Sequence, residues 1–289
     1  MRVLLLGQHG QVSRELQLRL QSRVELHVFG SAQLDLAQAG QIRQQVLRLR
    51  PELIINAAAH TAVDQAESEP ERAFAINATA PGILAEAAAE LGAPLLHYST
   101  DYVFDGRKAS PYTESDASCP LSVYGRSKLA GEQAIQAVGG AHLILRTSWV
   151  YSRHGKNFLL TMQRLLQERD SLSVVSDQIG APTWAGSIAQ ASVQLIERWQ
   201  DGQAGPWGIY HLTALGETSW FGFASAIAAQ LQAQGKPVAA LQAIPSSAYP
   251  TPAQRPLNSR LDCTRLQHDW QIHLPHWQTA LQQCLAEQG

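Results

Sequence analysis

The sequence predicts an α/β fold whose core is a doubly wound parallel sheet. Three observations carry this prediction. Short, continuous apolar runs recur along the first half of the chain, helical segments separate these runs, and a glycine-containing turn follows the first of them. Short apolar runs are typical of strands that are buried on both faces of a parallel sheet. Their alternation with helices is the pattern of successive βαβ units.

The predicted elements follow in chain order. In the first half, the apolar runs predict strands at residues 3–6, 24–29, 53–56 and 95–99. The helices predicted beside them pass through residues 16–20, 38–50 and 70–91, and a further helix begins near Tyr124. In the second half, the same reading predicts helices at 157–168, 188–199 and 220–231 and strands at 172–175 and 209–212.

The length and rhythm of the chain favour two domains. We expect residues 1–150 to form a dinucleotide-binding domain of Rossmann-like type that carries the catalytic residues. After residue 150 the alternation of strands and helices loosens. We therefore expect residues 151–289 to form mainly a smaller, mixed substrate-binding domain, with some segments returning to the first domain.

Composition excludes several classes of protein. The formal net charge of the 289 residues is −2, which gives no basis for a nucleic-acid or anionic-membrane partner. The first apolar run is too short for a signal peptide or a membrane span. Three scattered cysteines with no metal-binding spacing predict reduced thiols and a cytoplasmic location.

The turn after the first predicted strand has the pattern of a dinucleotide fingerprint. Gly7 and Gly10 allow a sharp bend and a close approach of the backbone to a pyrophosphate, which then lies at the N-terminus of the next helix. The third glycine of the full pattern is replaced by Ser13, a residue that is still small enough for close packing of the helix on the strand. An ordinary βα turn is the alternative.

The ends of the next two strands bear on the choice of cofactor. Gly30 follows the second strand, and no carboxylate stands there to bind a ribose 2′-hydroxyl or to repel a 2′-phosphate. The sequence therefore permits NADPH but does not demand it. Asp35 could face the adenine. The loop after the third strand contains Ala57, Ala58, Ala59 and Thr61, small residues that let a cofactor lie close to the backbone.

Candidate catalytic residues follow the fourth strand. Tyr124 and Lys128 are four residues apart, so they share one face of a helix. A cation one turn away favours the phenolate and is expected to lower the pKa of Tyr124. Thr100 ends the fourth strand, at the sheet edge where ligands bind in such folds. A hydroxyl there could donate a hydrogen bond to a substrate carbonyl.

These features together resemble the dTDP-4-dehydrorhamnose reductase family of the extended short-chain dehydrogenase/reductase superfamily. The matching stretches are residues 56–64, 97–104, 124–132, 146–151, 177–183 and 255–261. The resemblance implies that Tyr124 donates a proton and that Lys128 holds the nicotinamide ribose and tunes Tyr124. It further implies NADPH or NADH as cofactor.

The resemblance also assigns binding residues. It implies that Gly10, Gln11 and Val12, the Asp35-Leu36 pair and the loop at 59–61 hold the cofactor. Substrate contacts are expected from Thr100, Asp101, Tyr102 and Trp149. In the proline-rich stretch 245–260, either Arg255 or Arg260 could bind the diphosphate, because the arginine fork suits phosphate oxygens. Surface or interdomain salt bridges are the alternative for both arginines.

The expected activity is reduction of the C4 ketone of dTDP-4-dehydro-β-L-rhamnose in dTDP-rhamnose synthesis, which supplies cell-surface polysaccharide. The alternatives are another nucleotide-sugar 4-ketoreductase, a 4-epimerase, and a non-catalytic regulatory subunit that binds a dinucleotide. Superfamily dehydratases carry an Asp-Glu pair after the threonine. In this chain Tyr102 follows Asp101, so the second carboxylate is absent.

Some members of the family dimerise around a magnesium ion that is bound by glutamates. Glu15 stands at the first matching position, but Gly186 and Ser187 stand where the second glutamate is expected. The sequence therefore favours a Glu15 on the helix surface in a salt bridge over a Mg²⁺ ligand. It leaves a homodimer open.

Overall fold

The computed structural model describes residues 1–287 of the chain. The strands are β1 (Arg2–Leu6), β2 (Glu25–Phe29), β3 (Leu53–Asn56), β4 (Leu95–Thr100), β5 (His142–Thr147), β6 (Val150–Tyr151), β7 (Ser171–Val175), β8 (Ile179–Gly180), β9 (Thr183–Trp184), β10 (Gly208–His211), β11 (Thr218–Ser219) and β12 (Ala240–Ile244). The α-helices are α1 (Gln11–Leu20), α2 (Ala39–Leu49), α3 (Val63–Ser68), α4 (Pro70–Phe74), α5 (Ala80–Leu91), α6 (Val123–Val138), α7 (Phe158–Glu168), α8 (Ala185–Gln200), α9 (Trp220–Ala233), α10 (Thr264–Trp270) and α11 (Trp277–Ala286). A π-helical turn spans Ala75–Thr79, and 3-10 turns span Asp101–Val103 and Ser246–Ala248.

A parallel sheet of six strands forms the centre of the fold, in the order β10-β5-β4-β3-β1-β2. Its inner strands are buried on both faces. Leu4 and Leu5 are both fully buried, and Leu5 packs in one core cluster while Leu4 packs in the cluster on the other face. This arrangement confirms the predicted α/β fold with a doubly wound, Rossmann-like parallel sheet.

The helix predicted over residues 70–91 is wrong as a single element. The structure has α4, then the π-helical turn, then α5. Pro81 has no N–H to donate to the carbonyl of Asn77, so the regular helical ladder is interrupted at this point. Gly131 of α6 lies against that carbonyl, where a β-carbon would come within 2.0 Å of the Asn77 oxygen. The interruption therefore lets α6 lie close to this segment.

The second half of the chain divides between the central sheet and a separate core. Strand β10 pairs with β5, and α8 packs on α1 beside the sheet. Helix α10 also packs on the central sheet, through Leu266 and Trp270. A second core cluster is centred on Tyr151, Phe223 and Trp277, with α7, α9 and the paired strands β7 and β12. The domain boundary at residue 150 stays a prediction.

Within residues 1–287, no helix combines the length and the apolar character that crossing a bilayer would require.

Candidate active site

The strand order places a crevice between β1 and β3. The chain runs from β1 to β2 at one edge of the sheet and from β3 to β4 on the other side, so the connections diverge between these two neighbouring strands. The gap beyond the carboxyl ends of such strands is the usual ligand site. Gly7 follows β1 with φ +100°, and a β-carbon there would lie 2.8 Å from the Ala57 carbonyl oxygen that follows β3. Only glycine lets the two loops approach so closely.

Helix α1 begins at this crevice and suits a phosphate group. Gly10 precedes the helix and makes no side-chain cap, so the first amides of α1 have no capping partner from that residue. The side chain of Gln11 crosses to the second half of the chain, where its Oε1 accepts a 2.8 Å hydrogen bond from Asn157. Val12 packs against the core. The Gly7–Gly10 turn therefore fits a dinucleotide pyrophosphate.

Beyond β2, the residues that were predicted to meet the adenosine are uncharged or already engaged. The Gly30 N–H donates to the Gln33 side chain at 3.1 Å. The Asp35 carboxylate accepts a 3.0 Å bond from the Ala37 N–H, and the Leu36 side chain is buried in the core. Contacts of these three residues with a cofactor stay predictions.

The side-chain amide of Asn77 fixes the loop of small residues after β3 by hydrogen bonds to its backbone. Asn77 accepts from the His60 N–H at 2.8 Å and donates to the His60 carbonyl at 3.1 Å. Its amide also donates to the Ser127 hydroxyl on α6 at 3.0 Å. The segment Ala57–Ala59 thus has a defined backbone position, and Thr61 beside it is exposed.

The fold brings Thr100 and Tyr124 together. Thr100 ends β4, and Tyr124 lies in the first turn of α6, whose N-cap Ser122 accepts a 3.1 Å bond from the Gly125 N–H. The Thr100 hydroxyl donates to Asp101 Oδ1 at 3.0 Å and lies beside the Tyr124 phenol. The Tyr102 ring meets the Tyr124 ring edge-on, with centroids 5.5 Å apart.

The expectation that Lys128 lowers the pKa of Tyr124 is wrong for this structure. Burial of the phenol raises the pKa of Tyr124 to about 12, and the neighbouring Thr100 hydroxyl opposes this rise without overcoming it. The Lys128 ammonium is not among the groups that shift the phenol, because its Nζ is turned into the sheet. There it donates to the Tyr98 carbonyl at 2.7 Å and lies 3.1 Å from His97 Nε2.

Lys128 and Asp101 are both buried ionisable groups next to this hydroxyl pair. Burial lowers the pKa of Lys128 to about 8, although the negative charge of Glu132 opposes the shift. Burial raises the pKa of Asp101 to about 6, although the nearby Ser259 and Thr100 hydroxyls oppose the rise, and Thr100 donates to its Oδ1 at 3.0 Å. Each group is therefore displaced towards its neutral form.

A cavity of about 500 Å³ has Tyr102 in its wall, and Tyr102 connects it to Tyr124 through their ring contact. Sequence reasoning missed most of the lining, because it comes from α7, β7, α9 and the 245–260 stretch, which are distant from one another along the chain. The lining residues are Tyr102, Phe158, Thr161, Met162, Leu165, Leu172, Ser173, Val174, Val175, Gln178, Trp220, Tyr249, Thr251 and Arg255.

Trp149 does not line the cavity itself but packs against Trp220, a lining residue that the sequence did not predict. Its ring stacks on Trp220, with centroids 3.6 Å apart and planes 10° apart. Trp220 in turn donates from Nε1 to Gln178 at 3.2 Å. Trp149 has φ +48°, a left-handed conformation that is uncommon for a bulky residue and that concentrates at functional sites.

The two arginines of the 245–260 stretch have different positions. Arg255 reaches the cavity and makes a 2.7 Å ion pair with Asp64, which follows the small-residue loop of the first half. Arg260 donates to Glu217 and to the Ala109 carbonyl, and it is not part of the cavity wall. Only Arg255 is placed to meet a ligand in the cavity.

The Mg²⁺ site is not supported by the residues present. Glu15 forms the expected salt bridge, 2.6 Å from Arg19, but its side chain is fully buried, so the expected surface position is wrong. Helix α1 packs on α8 at this point, which covers the carboxylate. Among residues 1–287 no cluster of three or more metal-binding side chains occurs. Arg19 pairs with one Glu15 oxygen while Oε1 has no hydrogen-bond partner, but no other metal-binding side chains of the described residues complete a site, so we derive no step through Mg²⁺.

The chain is similar throughout its length to proteins of one family. The family model described as RmlD substrate binding domain matches residues 1–289. The chain is 45% identical to the dTDP-4-dehydrorhamnose reductase of Escherichia coli K12, over 99% of this chain and 98% of that protein.

Solved structures agree with this similarity. The dTDP-4-dehydrorhamnose reductase of Bacillus anthracis in complex with NADP superimposes with a TM-score of 0.92 at 34% identity, over 99% of both chains. The dTDP-4-dehydrorhamnose reductase of Clostridium acetobutylicum gives a TM-score of 0.92 at 34% identity, over 100% of this chain and 99% of that one. The chain therefore belongs to the RmlD substrate binding domain family.

Proposed function

We propose that this protein is a dTDP-4-dehydrorhamnose reductase, which uses NADPH or NADH to reduce the C4 ketone of dTDP-4-dehydro-β-L-rhamnose to dTDP-β-L-rhamnose. The observation that carries the proposal is the meeting of Thr100 and Tyr124 next to Tyr102, which lines the cavity, in a chain whose 45% identical relative has this activity in its name. The product supplies rhamnose for cell-surface polysaccharide.

The cofactor fits the crevice between β1 and β3. Gly7 and Gly10 would admit the pyrophosphate, and the first amides of α1 would bind it. The residues at Gly30 and Asp35 would lie towards the adenosine. The absence of an acid at the end of β2 supports acceptance of both NADPH and NADH. When bound, the reduced nicotinamide supplies the hydride.

Thr100 and Tyr124 would act on the ketone oxygen. Thr100 donates a hydrogen bond that orients the carbonyl, and Tyr124 supplies the proton that the new alkoxide requires. A raised pKa suits this direction of transfer, because Tyr124 holds its proton at neutral pH and releases it to the far more basic alkoxide. Lys128 lies one turn behind Tyr124, where it would bond the nicotinamide ribose.

The cavity of about 500 Å³ would hold the nucleotide sugar. Asp101, Tyr102 and Trp149 would contact the deoxyhexose next to Tyr124. Arg255 would bind the diphosphate, since a guanidinium at the wall is the group best suited to phosphate oxygens. The aromatic and aliphatic residues of α7, β7 and α9 would cover the thymine.

The test follows the reduced-nicotinamide absorbance with purified protein, enzymatically made dTDP-4-dehydro-β-L-rhamnose, and NADPH or NADH in turn. Stoichiometric loss of absorbance with formation of dTDP-β-L-rhamnose supports the proposal. A 4-epimerase would interconvert sugars without net consumption of cofactor. Binding of cofactor without turnover of any dTDP-4-keto sugar would instead indicate a regulatory subunit.

The proposal includes a cytoplasmic location, which suits three cysteines that form no disulfide with one another in the structure. It also includes a homodimer, which the family resemblance suggests and which sedimentation velocity with and without a chelator would test. We expect a chelator to leave the association state unchanged, because no cluster of metal-binding side chains surrounds Glu15 in the described part of the chain.

A further inference from the structure

A buried chain of three polar side chains runs under the active site. Asn56 ends β3, His97 lies on β4 and Lys128 lies on α6; all three are at most 1% exposed. The Asn56 amide nitrogen is 3.0 Å from His97 Nδ1, and Lys128 Nζ is 3.1 Å from His97 Nε2. Lys128 is assigned above, but His97 and Asn56 have no role in the reaction as described so far.

Hydrogen-bond accounting determines which imidazole nitrogen carries the proton. The Ala58 N–H donates to Asn56 Oδ1 at 3.2 Å, so the oxygen of the Asn56 amide faces that donor. The NH₂ group of Asn56 therefore faces His97 and donates to Nδ1. Burial holds the pKa of His97 well below its usual range, so the ring is neutral. A neutral ring that accepts at Nδ1 carries its proton on Nε2.

This tautomer directs an N–H at Lys128. An ammonium has three donors and no acceptor. A charged Lys128 would therefore place an N–H of Nζ against the Nε2–H of His97 at their 3.1 Å contact. A neutral amine instead accepts from His97 Nε2–H and donates to the Tyr98 carbonyl at 2.7 Å. We propose that His97 is a positioning residue that stabilises the neutral amine of Lys128, and that Asn56 enforces this by fixing the tautomer of the ring.

The other charged groups around α6 do not replace this effect. Glu132, one turn beyond Lys128, favours the ammonium, but it is bound by Arg146 of β5 at 2.6 Å and accepts from Ser99 at 2.5 Å. Asp101 faces α6 from the 3-10 turn and bonds to Thr100.

Two further titratable groups lie against the same helix or strand. Glu67 of α3 accepts from the Val123 N–H at the start of α6. The Tyr98 hydroxyl bonds to Ser192 of α8. None of these groups is hydrogen-bonded to Nζ within the described part of the chain.

The inference rests on the proposed function for its consequence. When Tyr124 gives its proton to the alkoxide, the phenolate must regain one. Lys128 Nζ points into the sheet in this structure, so it would have to turn to supply this proton. If it does, an N–H bond of the ammonium breaks, the Tyr124 O–H bond re-forms, and Lys128 becomes the amine that His97 stabilises. His97 keeps its own proton throughout. Lys128 then regains a proton from water.

The first experiment reads the tautomer in the unaltered protein. The chain has ten histidines, so ¹⁵N-histidine labelling gives a tractable long-range ¹H–¹⁵N spectrum. We expect the His97 ring to be neutral and protonated on Nε2 at every pH from about 6 to 9. Its signals are assigned by their loss in His97→Gln or, if that variant does not fold, by nuclear Overhauser contacts to Tyr98. A ring protonated on Nδ1, or on both nitrogens, overturns the proposal.

The second experiment titrates Lys128 directly. Only four lysines occur, so four ¹³Cε signals of labelled lysine can be followed with pH. In Asn56→Leu, Nδ1 can carry the proton and Nε2 can present its lone pair to the ammonium. We expect the pKa of Lys128 to rise by about one unit. The added apolar surface alone would lower it. An unchanged or lowered pKa in folded Asn56→Leu contradicts the proposal.

Ser192→Ala is the matched control, because it removes a buried hydrogen bond from Tyr98 on the same strand without touching His97. We expect it to leave the Lys128 titration unchanged. The kcat–pH profile should shift in Asn56→Leu in parallel with the Lys128 pKa and should not shift in Ser192→Ala. Because both NMR measurements need no turnover, they decide the role of His97 even if the reductase assay fails.

Discussion

The Tyr124 phenol, the Lys128 amine and the Asp101 carboxyl lie in one buried region, and each has a pKa displaced towards its neutral form. The common cause is loss of water, which penalises whichever form is charged. These groups therefore hold their charged forms less readily than the same groups do in water. Their proton affinities therefore depend on the packing around them more than on a single charged neighbour.

Removing the Tyr124 hydroxyl tests the proton donor. Tyr124→Phe keeps the ring and its edge contact with Tyr102, so we expect it to fold and to bind cofactor as the wild type does. The rate of ketone reduction should fall roughly 10²- to 10⁴-fold, the usual contribution of a positioned acid. Cofactor affinity by fluorescence and kcat by absorbance separate the two effects. Full turnover by this variant would remove Tyr124 from the mechanism.

Asp101 makes a prediction about stability. Its pKa is raised from 3.8 to about 6, so the folded protein binds this proton more tightly than the unfolded chain does. The resulting contribution to stability is complete at low pH and is lost as pH rises through about 6. Asp101→Asn mimics the neutral acid. We expect its free energy of unfolding at pH 8, measured by urea denaturation, to exceed that of the wild type by ~1–3 kcal/mol. The difference should vanish near pH 4.

The activity of Asp101→Asn should fall although its stability rises. Asn at position 101 keeps an oxygen for the Thr100 hydroxyl but loses the carboxylate that would face the sugar. A higher KM for the nucleotide sugar beside the gain in stability is the expected result. Equal stability of the two proteins at pH 8 would show that the carboxyl is not buried in solution.

At the scale of elements, the connection from β1 to α1 depends on one glycine. Gly7 combines φ +100° with a β-carbon position 2.8 Å from the Ala57 carbonyl oxygen. Residues 3–6 of β1 and all of β3 are buried, so these two strands cannot separate without opening the core. A side chain at this position would therefore push apart the loops after β1 and β3 and would occupy space that the cofactor needs.

Gly7→Ala tests this turn. We expect a loss of about 2 kcal/mol or more in the free energy of unfolding, from the left-handed backbone and the contact with Ala57, and no measurable cofactor binding. Gly40→Ala is the matched control, since Gly40 lies exposed in α2 with nothing within 4 Å of its β-carbon position. That variant should be more stable than wild type by up to about 1 kcal/mol. Similar losses in both variants would contradict the account of Gly7.

At the scale of the whole molecule, the cavity is formed by elements from both halves of the chain. Tyr102 comes from the segment after β4, whereas α7, β7 and α9 belong to the second core cluster. The ion pair from Arg255 to Asp64 and the bond from Asn157 to Gln11 also join the two halves. We propose on this basis that the second half is chiefly a substrate-binding unit, with β10 and α8 returned to the first.

Arg255→Lys tests the predicted diphosphate contact. Lysine keeps the charge but loses the fork, so we expect KM for the nucleotide sugar to rise about tenfold while KM for the cofactor stays within about twofold. Arg260→Lys is the control, because Arg260 bonds to Glu217 and Ala109 away from the cavity. If only the Arg260 variant changes this KM, the assignment of Arg255 is wrong.

The sequence alone was sufficient for the sheet and for the convergence of the main candidates. Buried parallel strands are continuous apolar runs, and the carboxyl ends of parallel strands share one edge, so the positions of Gly7, Thr100 and Tyr124 follow from the order of elements. The four-residue spacing of Tyr124 and Lys128 places them on one helical face without further information.

Only the tertiary structure decided how those side chains are used. The direction of Lys128 depends on His97 and Tyr98, which come from a different element, and no spacing rule along the chain connects them. The partner of Trp149 lies 71 residues away at Trp220, and the buried position of Glu15 depends on the packing of α8. Burial and hydrogen-bond partners are set by elements that meet in space. A local pattern therefore determines where a residue lies on its own element, but its charge state depends on residues that the pattern does not contain.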